Sequence, residues 1–375
     1  MSSASSAVCR RAIGGPTRAP PKGDSAQMTE SAATPDFDRG ETDPRAISGR
    51  ARLISVLGAA IRLGPPLILL VLCLAFALLS PYFLTVGNIQ NIGVQSAVVG
   101  VLALGQLFVI LARGIDISVG SVLALATMVS VVAFPGHGLA QIITCLAVGA
   151  AAGAVNGSLI TSGKVPQPLI VTVATMSIAR GAAQITTGGK VVAGLPPELA
   201  LLGDSFVGLL PTPVVILFGL AALLGVLVTS TKLGRWIYAV GGNPEAAEKL
   251  GVPTKAIVLF CYTVCGLTAG LAGIITAGRT DAATPMAGAG LELYAITAVV
   301  IGGASLFGGR GNIWNVLVGA LIIGVIKNGL DLLGVEPFYQ TVAIGLLILV
   351  ALQIDMVRGR LETKLRAMQA REHAQ

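Results

Sequence analysis

From about Pro65 to Asp355 the chain is a succession of long apolar runs, and this decides most of what it can become. Ten candidate spans lie at about 65–83, 96–112, 117–134, 139–160, 167–187, 212–230, 255–277, 291–306, 312–330 and 338–355. Their lengths approach the roughly 20 residues that a helix needs to cross a bilayer, and none shows the alternation of a membrane β-barrel. Charged residues make up 11% of the chain and hydrophobic ones 54%, with a mean hydropathy of +0.83. A soluble domain carries about 25% charged residues. There is too little polar surface here to face water on all sides. The expected fold class is all-α: a polytopic membrane protein of about ten transmembrane helices, with its outer apolar faces against membrane lipid.

The formal net charge is +7, but its distribution says more than its size. With the N-terminus placed inside, the inner segments hold Arg50, Arg52, Arg62, Arg113, Lys164, Lys232, Arg235, Lys249, Lys255, Arg310, Arg358, Arg360, Lys364 and Arg366. The outer segments hold Arg180, Lys190, Arg279 and Lys327. That asymmetry follows the positive-inside rule. It predicts both termini in the cytoplasm and the 231–254 loop beside them. No basic stripe interleaved with aromatics is present of the kind that stacks bases, so nucleic acid is not an expected partner. Residues 1–50, rich in Ser, Ala and Pro, are expected to be a disordered cytoplasmic tail. Residues 51–357 are the expected membrane domain and 358–375 a cytoplasmic C-terminal tail.

Two glycine-rich segments, ARGIDISVGS (112–121) and GGASLFGGRGN (302–312), predict broken or re-entrant helices. Irregular backbone at membrane depth is tolerated only where protein or a water-filled cavity surrounds it. Gly149, Gly153 and Gly157 recur every fourth residue, as do Gly266 and Gly270, which predicts close helix packing. The five cysteines, including the i, i+4 pair Cys261 and Cys265, are expected to behave as small apolar residues. No metal site, bound cofactor or catalytic constellation is expected. The only histidines are His137 and His373, no Ser–His–acid set is available, and an enzyme is not expected.

The stretch 231–255, TKLGRWIYAVGGNPEAAEKLGVPTK, is the longest wettable interruption between apolar runs. Asn243 suits an N-cap, and Pro244 suits the first helical position. Glu245 and Lys249 then complement the helix dipole, while Gly251 with Pro253 ends the helix after about eight residues. It is either an ordinary cytoplasmic loop or a prefabricated helix offered to a soluble partner.

Within the apolar runs, ionisable and amide side chains are the candidates for a path or gate. Asp116 and Ser118 stand at the start of the third run and Glu292 at the start of the eighth; each acid serves either as a helix cap or as part of a path. Lys327 and Asp331 are spaced for an ion pair. Asn91, Gln95, Gln106, Asn156 and Asn328 can bind a polar solute or hydrogen-bond between helices. No run of buried acids suggests a proton or sodium relay, which weakens a secondary transporter, the main alternative. No Walker A sequence is present either: GSLITSGKV (157–165) has the wrong spacing, with Val165 where Ser or Thr would hold magnesium. Any ATP must be hydrolysed on another polypeptide.

Five blocks now stand together: GIDISVGSVLAL (114–125), GAVNGSLITSGKVP (153–166), GRWIYAVGGNPEAAEKLGV (234–252), LELYAITAVVIGGASLFGGRGN (291–312) and NGLDLLGV (328–335). In this order they resemble the bacterial ABC importer permeases of the ribose/monosaccharide type, over about residues 80–355. The resemblance implies a homodimer of permease subunits in the inner membrane, a cytoplasmic ABC ATPase carrying the ATP and magnesium, and a periplasmic sugar-binding protein. It makes Asn243, Pro244, Glu245, Ala246, Ala247 and Gly251 the ATPase-coupling segment. It places Asp116, Ser118, Asn156, Glu292 and Asn328 near the translocation path or its gates. The sequence departs from the family pattern at Arg113, where glycine is usual, at Tyr294, Asn315 and Lys327. Arg113 is expected to snorkel at the cytoplasmic boundary.

Overall fold

The computed structural model describes residues 64–162 and 167–350, together with residues 353 and 356. The tails expected at 1–50 and 358–375 lie outside the described residues, as do Lys164 and the basic residues of both tails. Among the described residues thirteen helices follow one another. They are α1 (Gly64–Leu79), α2 (Val86–Leu111), α3 (Val119–Ala133), α4 (Gly138–Ser162), α5 (Pro168–Ile185), α6 (Pro197–Gly203) and α7 (Thr212–Ser230). Then come α8 (Lys232–Gly242), α9 (Pro244–Lys249), α10 (Thr254–Thr280), α11 (Leu291–Ile301), α12 (Ile313–Leu332) and α13 (Pro337–Val350). Two antiparallel pairs of two-residue strands interrupt the otherwise helical chain: β1 (Val192–Ala193) with β4 (Ala282–Ala283), and β2 (Phe206–Val207) with β3 (Leu210–Pro211).

The expected count of ten spans is not confirmed by helix length. Among the described residues six helices, α2, α4, α5, α7, α10 and α12, are long and apolar enough to cross a membrane. Shorter apolar helices, α1, α3, α11 and α13, occupy the other four stretches. Hydropathy counted the stretches at α1, α3 and α11 as longer because apolar residues continue past these helix ends into non-helical backbone. The 15 residues of α3 and 11 of α11 extend only about 22 and 16 Å, against a hydrocarbon core of about 30 Å. Each follows an irregular segment, 112–118 before α3 and the glycine-rich stretch ending at Gly290 before α11. These are broken helices rather than rods.

The core is organised around α2, in which every residue from Ser96 to Leu111 is buried. A helix that is apolar all round belongs inside a bundle, and α7, α10, α11 and α12 surround it. Against this group α4 packs on α10 through glycines. A Cβ at Gly149 would strike the Gly266 carbonyl, one at Gly153 the Tyr262 carbonyl, and one at Gly270 the Cys145 carbonyl. The two glycine rows foreseen in the sequence therefore face each other, and the helices approach backbone to backbone.

Amide pairing fixes the other end of α2. Asn88 and Asn328 exchange hydrogen bonds of 2.9 and 2.8 Å, and Asn88 also donates to the Phe83 carbonyl at 2.8 Å. Both side chains are buried. Asn328→Ala alone is expected to cost about 1–2 kcal/mol, because it strands a buried amide. The Asn88→Ala, Asn328→Ala double variant should cost clearly less than the two single losses added together, measured as a thermal-unfolding cycle in detergent.

Candidate functional site

Three regions carry the polar chemistry. The first is a buried network where the irregular segment 112–118 meets α2, α4 and α5. Asp116 is 1% exposed. Its Oδ1 accepts from the Ser118 backbone N–H at 2.9 Å and from the Ser118 hydroxyl at 2.6 Å. Asn156 Nδ2 donates to Ser118 Oγ at 3.0 Å and to Asp116 Oδ2 at 3.4 Å, while the Thr175 hydroxyl donates to Asn156 Oδ1 at 2.6 Å. With its amide turned so that the nitrogen faces the Asp116 carbonyl, the orientation that satisfies both atoms, Gln106 pairs with the backbone C=O and N–H of Asp116, each at 3.1 Å. Thr172 donates to the Ile115 carbonyl at 3.3 Å. Side chains from α2, α4 and α5 thus satisfy part of this non-helical segment, while the Arg113 and Gly114 N–H groups return to the Ile110 and Val109 carbonyls of α2. Gln106 is among the amides singled out in the sequence, whereas Thr172 and Thr175 were not distinguishable there from ordinary helix residues.

The starts of the two broken helices meet beside this network. Gly120, in the first turn of α3, packs on Glu292 Oε2 and the Gly288 carbonyl so closely that no side chain fits. Glu292 is 6% exposed; its Oε1 accepts from the Gly290 N–H at 3.1 Å, and Oε2 has no hydrogen-bond partner among the described residues. Arg180 of α5 donates to the Pro285 and Ala287 carbonyls at 2.9 and 2.8 Å, holding the segment that leads into α11. Four of the residues singled out in the sequence, Asp116, Ser118, Asn156 and Glu292, therefore gather around the start of α3. Asn328 does not join them, being held by Asn88.

A cavity of about 310 Å³ opens between α2, α10, α11 and α12, lined in part by Gln95, Thr276, Arg279, Thr280 and Lys327. Lys327 forms no ion pair with Asp331, whose Oδ1 instead accepts from Gln340 at 2.8 Å. The expected i, i+4 pair is corrected because Gln340, brought back by α13, takes the carboxylate.

At the opposite end of the bundle lies α9. Asn243 Oδ1 accepts from the Ala246 N–H at 3.0 Å, Pro244 opens the helix, and Gly251 follows it with φ +79°. The helix spans 6 residues rather than about eight. Preceding it, and unforeseen, is the amphipathic α8, capped by Thr231, with Lys232 Nζ 4.6 Å from the centre of the Trp236 ring. Its buried face, Gly234, Ile237, Val240 and Gly241, has helical spacing, but its charges make it read as loop. Ala247 is 3% exposed and belongs to the chain's own core, so it lies on the inner face of α9. Glu245, Ala246, Glu248, Lys249 and Leu250 form the open face, with Leu250 84% exposed.

Residues 88–352 match the family described as branched-chain amino acid transport system / permease component. The chain is 43% identical over 293 residues to the ribose import permease protein RbsC of Escherichia coli K12, covering 76% of this chain and 91% of that one. It is 41% identical over 297 residues to the D-allose transport system permease protein AlsC of the same organism, covering 78% and 90%. To the ribose import permease of Bacillus subtilis it is 42% identical over 302 residues, covering 80% and 94%. No solved structure matches the chain. The chain belongs to the branched-chain amino acid transport system / permease component family, and within it stands with the ribose-type sugar permeases.

Proposed function

We propose that the chain is the membrane-spanning subunit of an ATP-driven, binding-protein-dependent importer of a monosaccharide or related polyol. It works as a pair of subunits in a bacterial inner membrane, with both termini and α9 on the cytoplasmic side. The observation that supports this best is α9: a capped helix of 6 residues, anchored inward by Ala247 and presenting Leu250 to solvent. So short a helix is not stable alone, and its open face suits a cleft in a partner. Asn243, Pro244, Glu245, Ala246 and Gly251 shape or present that face to a cytoplasmic ATPase, which carries ATP and magnesium.

The relatives' names point to ribose and D-allose, and a neutral polyol suits a path with few ionised groups. A solute released by a periplasmic sugar-binding protein enters the cavity beside Gln95, Arg279 and Lys327. It then passes the gathered starts of α3 and α11, where Asp116, Ser118, Asn156 and Glu292 hold the broken backbone. Half-helix starts meeting within a bundle recur at solute sites in transporters. Closure of the two nucleotide domains displaces the paired α9 helices and shifts the population between outward- and inward-facing states.

Reconstitution in proteoliposomes tests this reading. Radiolabelled sugar uptake is expected only with ATP inside, the ATPase bound and the loaded binding protein outside. Uptake by the permease alone, driven by an ion gradient, would replace the importer reading with secondary transport.

A further inference from the structure

Arg113 is exposed, and its head group is held by the chain's own backbone. Its backbone sits at φ +67°, in the left-handed region where an arginine is strained. Its guanidinium reaches out of the 112–118 segment to three carbonyls. Nε donates to Gly241 O at 2.9 Å and to Phe307 O at 3.0 Å, and Nη2 donates to Gly242 O at 3.1 Å. Gly241 and Gly242 end α8 and immediately precede Asn243, the cap of α9. Phe307 belongs to the irregular segment between α11 and α12.

The three segments also meet through backbone. Gly309 N–H donates to Leu111 O at 3.0 Å. A Cβ at Gly241 would collide with Leu111 O, and one at Gly308 with the Arg113 side chain. Glycine at these places lets three chain segments, far apart in sequence, close on one arginine. Two residues on from Arg113 the chain enters the buried network: Ile115 O accepts from Thr172, and Asp116 is held by Gln106, Ser118 and Asn156. The irregular segment 114–118 is short and bonded at Gly114, Ile115, Asp116 and Ser118, which leaves it little slack to absorb a displacement at its near end.

We propose that Arg113 is the positioning residue that makes α9 and the start of α3 move as one body, delivering displacement of α9 to the buried Asp116–Asn156 network. The proposal rests on the importer reading. The arginine strains its own backbone, and what its side chain gives in return is to hold both ends of the linkage.

The test uses the full complex in proteoliposomes, with ATP hydrolysis and sugar uptake measured on the same sample. Arg113→Gly removes the clasp while suiting φ +67°, so it should unfold at or above the parent's temperature. Its ATPase should still bind and respond to loaded binding protein, while sugar moved per ATP falls by about tenfold or more, within the usual range of coupling between sites. Arg113→Met, which keeps the stem and loses every donor, should give the same uncoupling and decides the matter if the glycine variant folds poorly. An unchanged ratio of sugar to ATP in either variant overturns the proposal. Loss of ATPase binding overturns it as well, since Arg113 would then belong to the docking face. Failure of the parent complex to move sugar at all would instead sink the importer reading, and it shows in the control.

Discussion

Gly266→Leu is expected to leave almost no folded, detergent-stable protein. Gly266 packs on the Gly149 carbonyl and on the Gly153 backbone, so the new side chain would meet main chain of α4 and not the movable end of a side chain. Overpacking a core that can yield costs about 1–3 kcal/mol. Here α4 and α10 must separate along the whole row from Cys145 to Gly157, so the cost belongs at or beyond the top of that range. Gly219→Leu is the matched control, because nothing lies within 4 Å of a Cβ there. It should behave as the parent does in size-exclusion profile and unfolding temperature. Equal recovery of both variants would mean that the α4–α10 contact is not the close one described.

Leu250→Asp is expected to do the reverse: leave the fold untouched and remove the partner. At 84% exposure Leu250 has almost no packing to lose within its own chain. An apolar side chain at the tip of a docking helix is a natural anchor, and truncating such an anchor costs about 2–4 kcal/mol of binding. The ATPase should therefore bind roughly 30- to 1,000-fold more weakly, read by titrating it onto the permease in nanodiscs. Ala247→Asp would also abolish transport, but by burying a charge beneath α9, with a lowered unfolding temperature that Leu250→Asp should not show. Unaltered ATPase affinity in Leu250→Asp would remove α9 from the docking face.

Local chemistry made part of this architecture legible in advance. The Asn243–Pro244–Glu245 start and the Gly251 stop of α9 are written within nine residues, and the structure shows both. The glycine rows of α4 and α10 were readable because a four-residue period needs no knowledge of the partner helix. Hydropathy failed where an apolar stretch is not helical. Residues 112–118 and 302–312 are flagged by glycine as irregular, but the lengths of α3 and α11 depend on where side chains relieve the backbone. Gln106, Thr172 and Thr175 supply that relief from other helices. The Arg113 clasp and the Asn88–Asn328 pair join residues 128 to 240 positions apart, beyond the reach of periodicity or spacing. That Ala247 takes the inner face was not legible for a related reason: a helix of 6 residues has an inner and an outer face, and only its packing on the bundle shows which is which.

The central claim is that this chain takes its power from a separate ATPase through α9. The most direct measurement is the ATPase rate of the permease–ATPase complex in nanodiscs, titrated with a panel of binding proteins, each with and without its sugar. The account predicts that one loaded binding protein raises the rate well above the basal level, and that Leu250→Asp abolishes the rise. No complex and no stimulation by any binding protein, together with sugar counterflow through the permease alone, would contradict it.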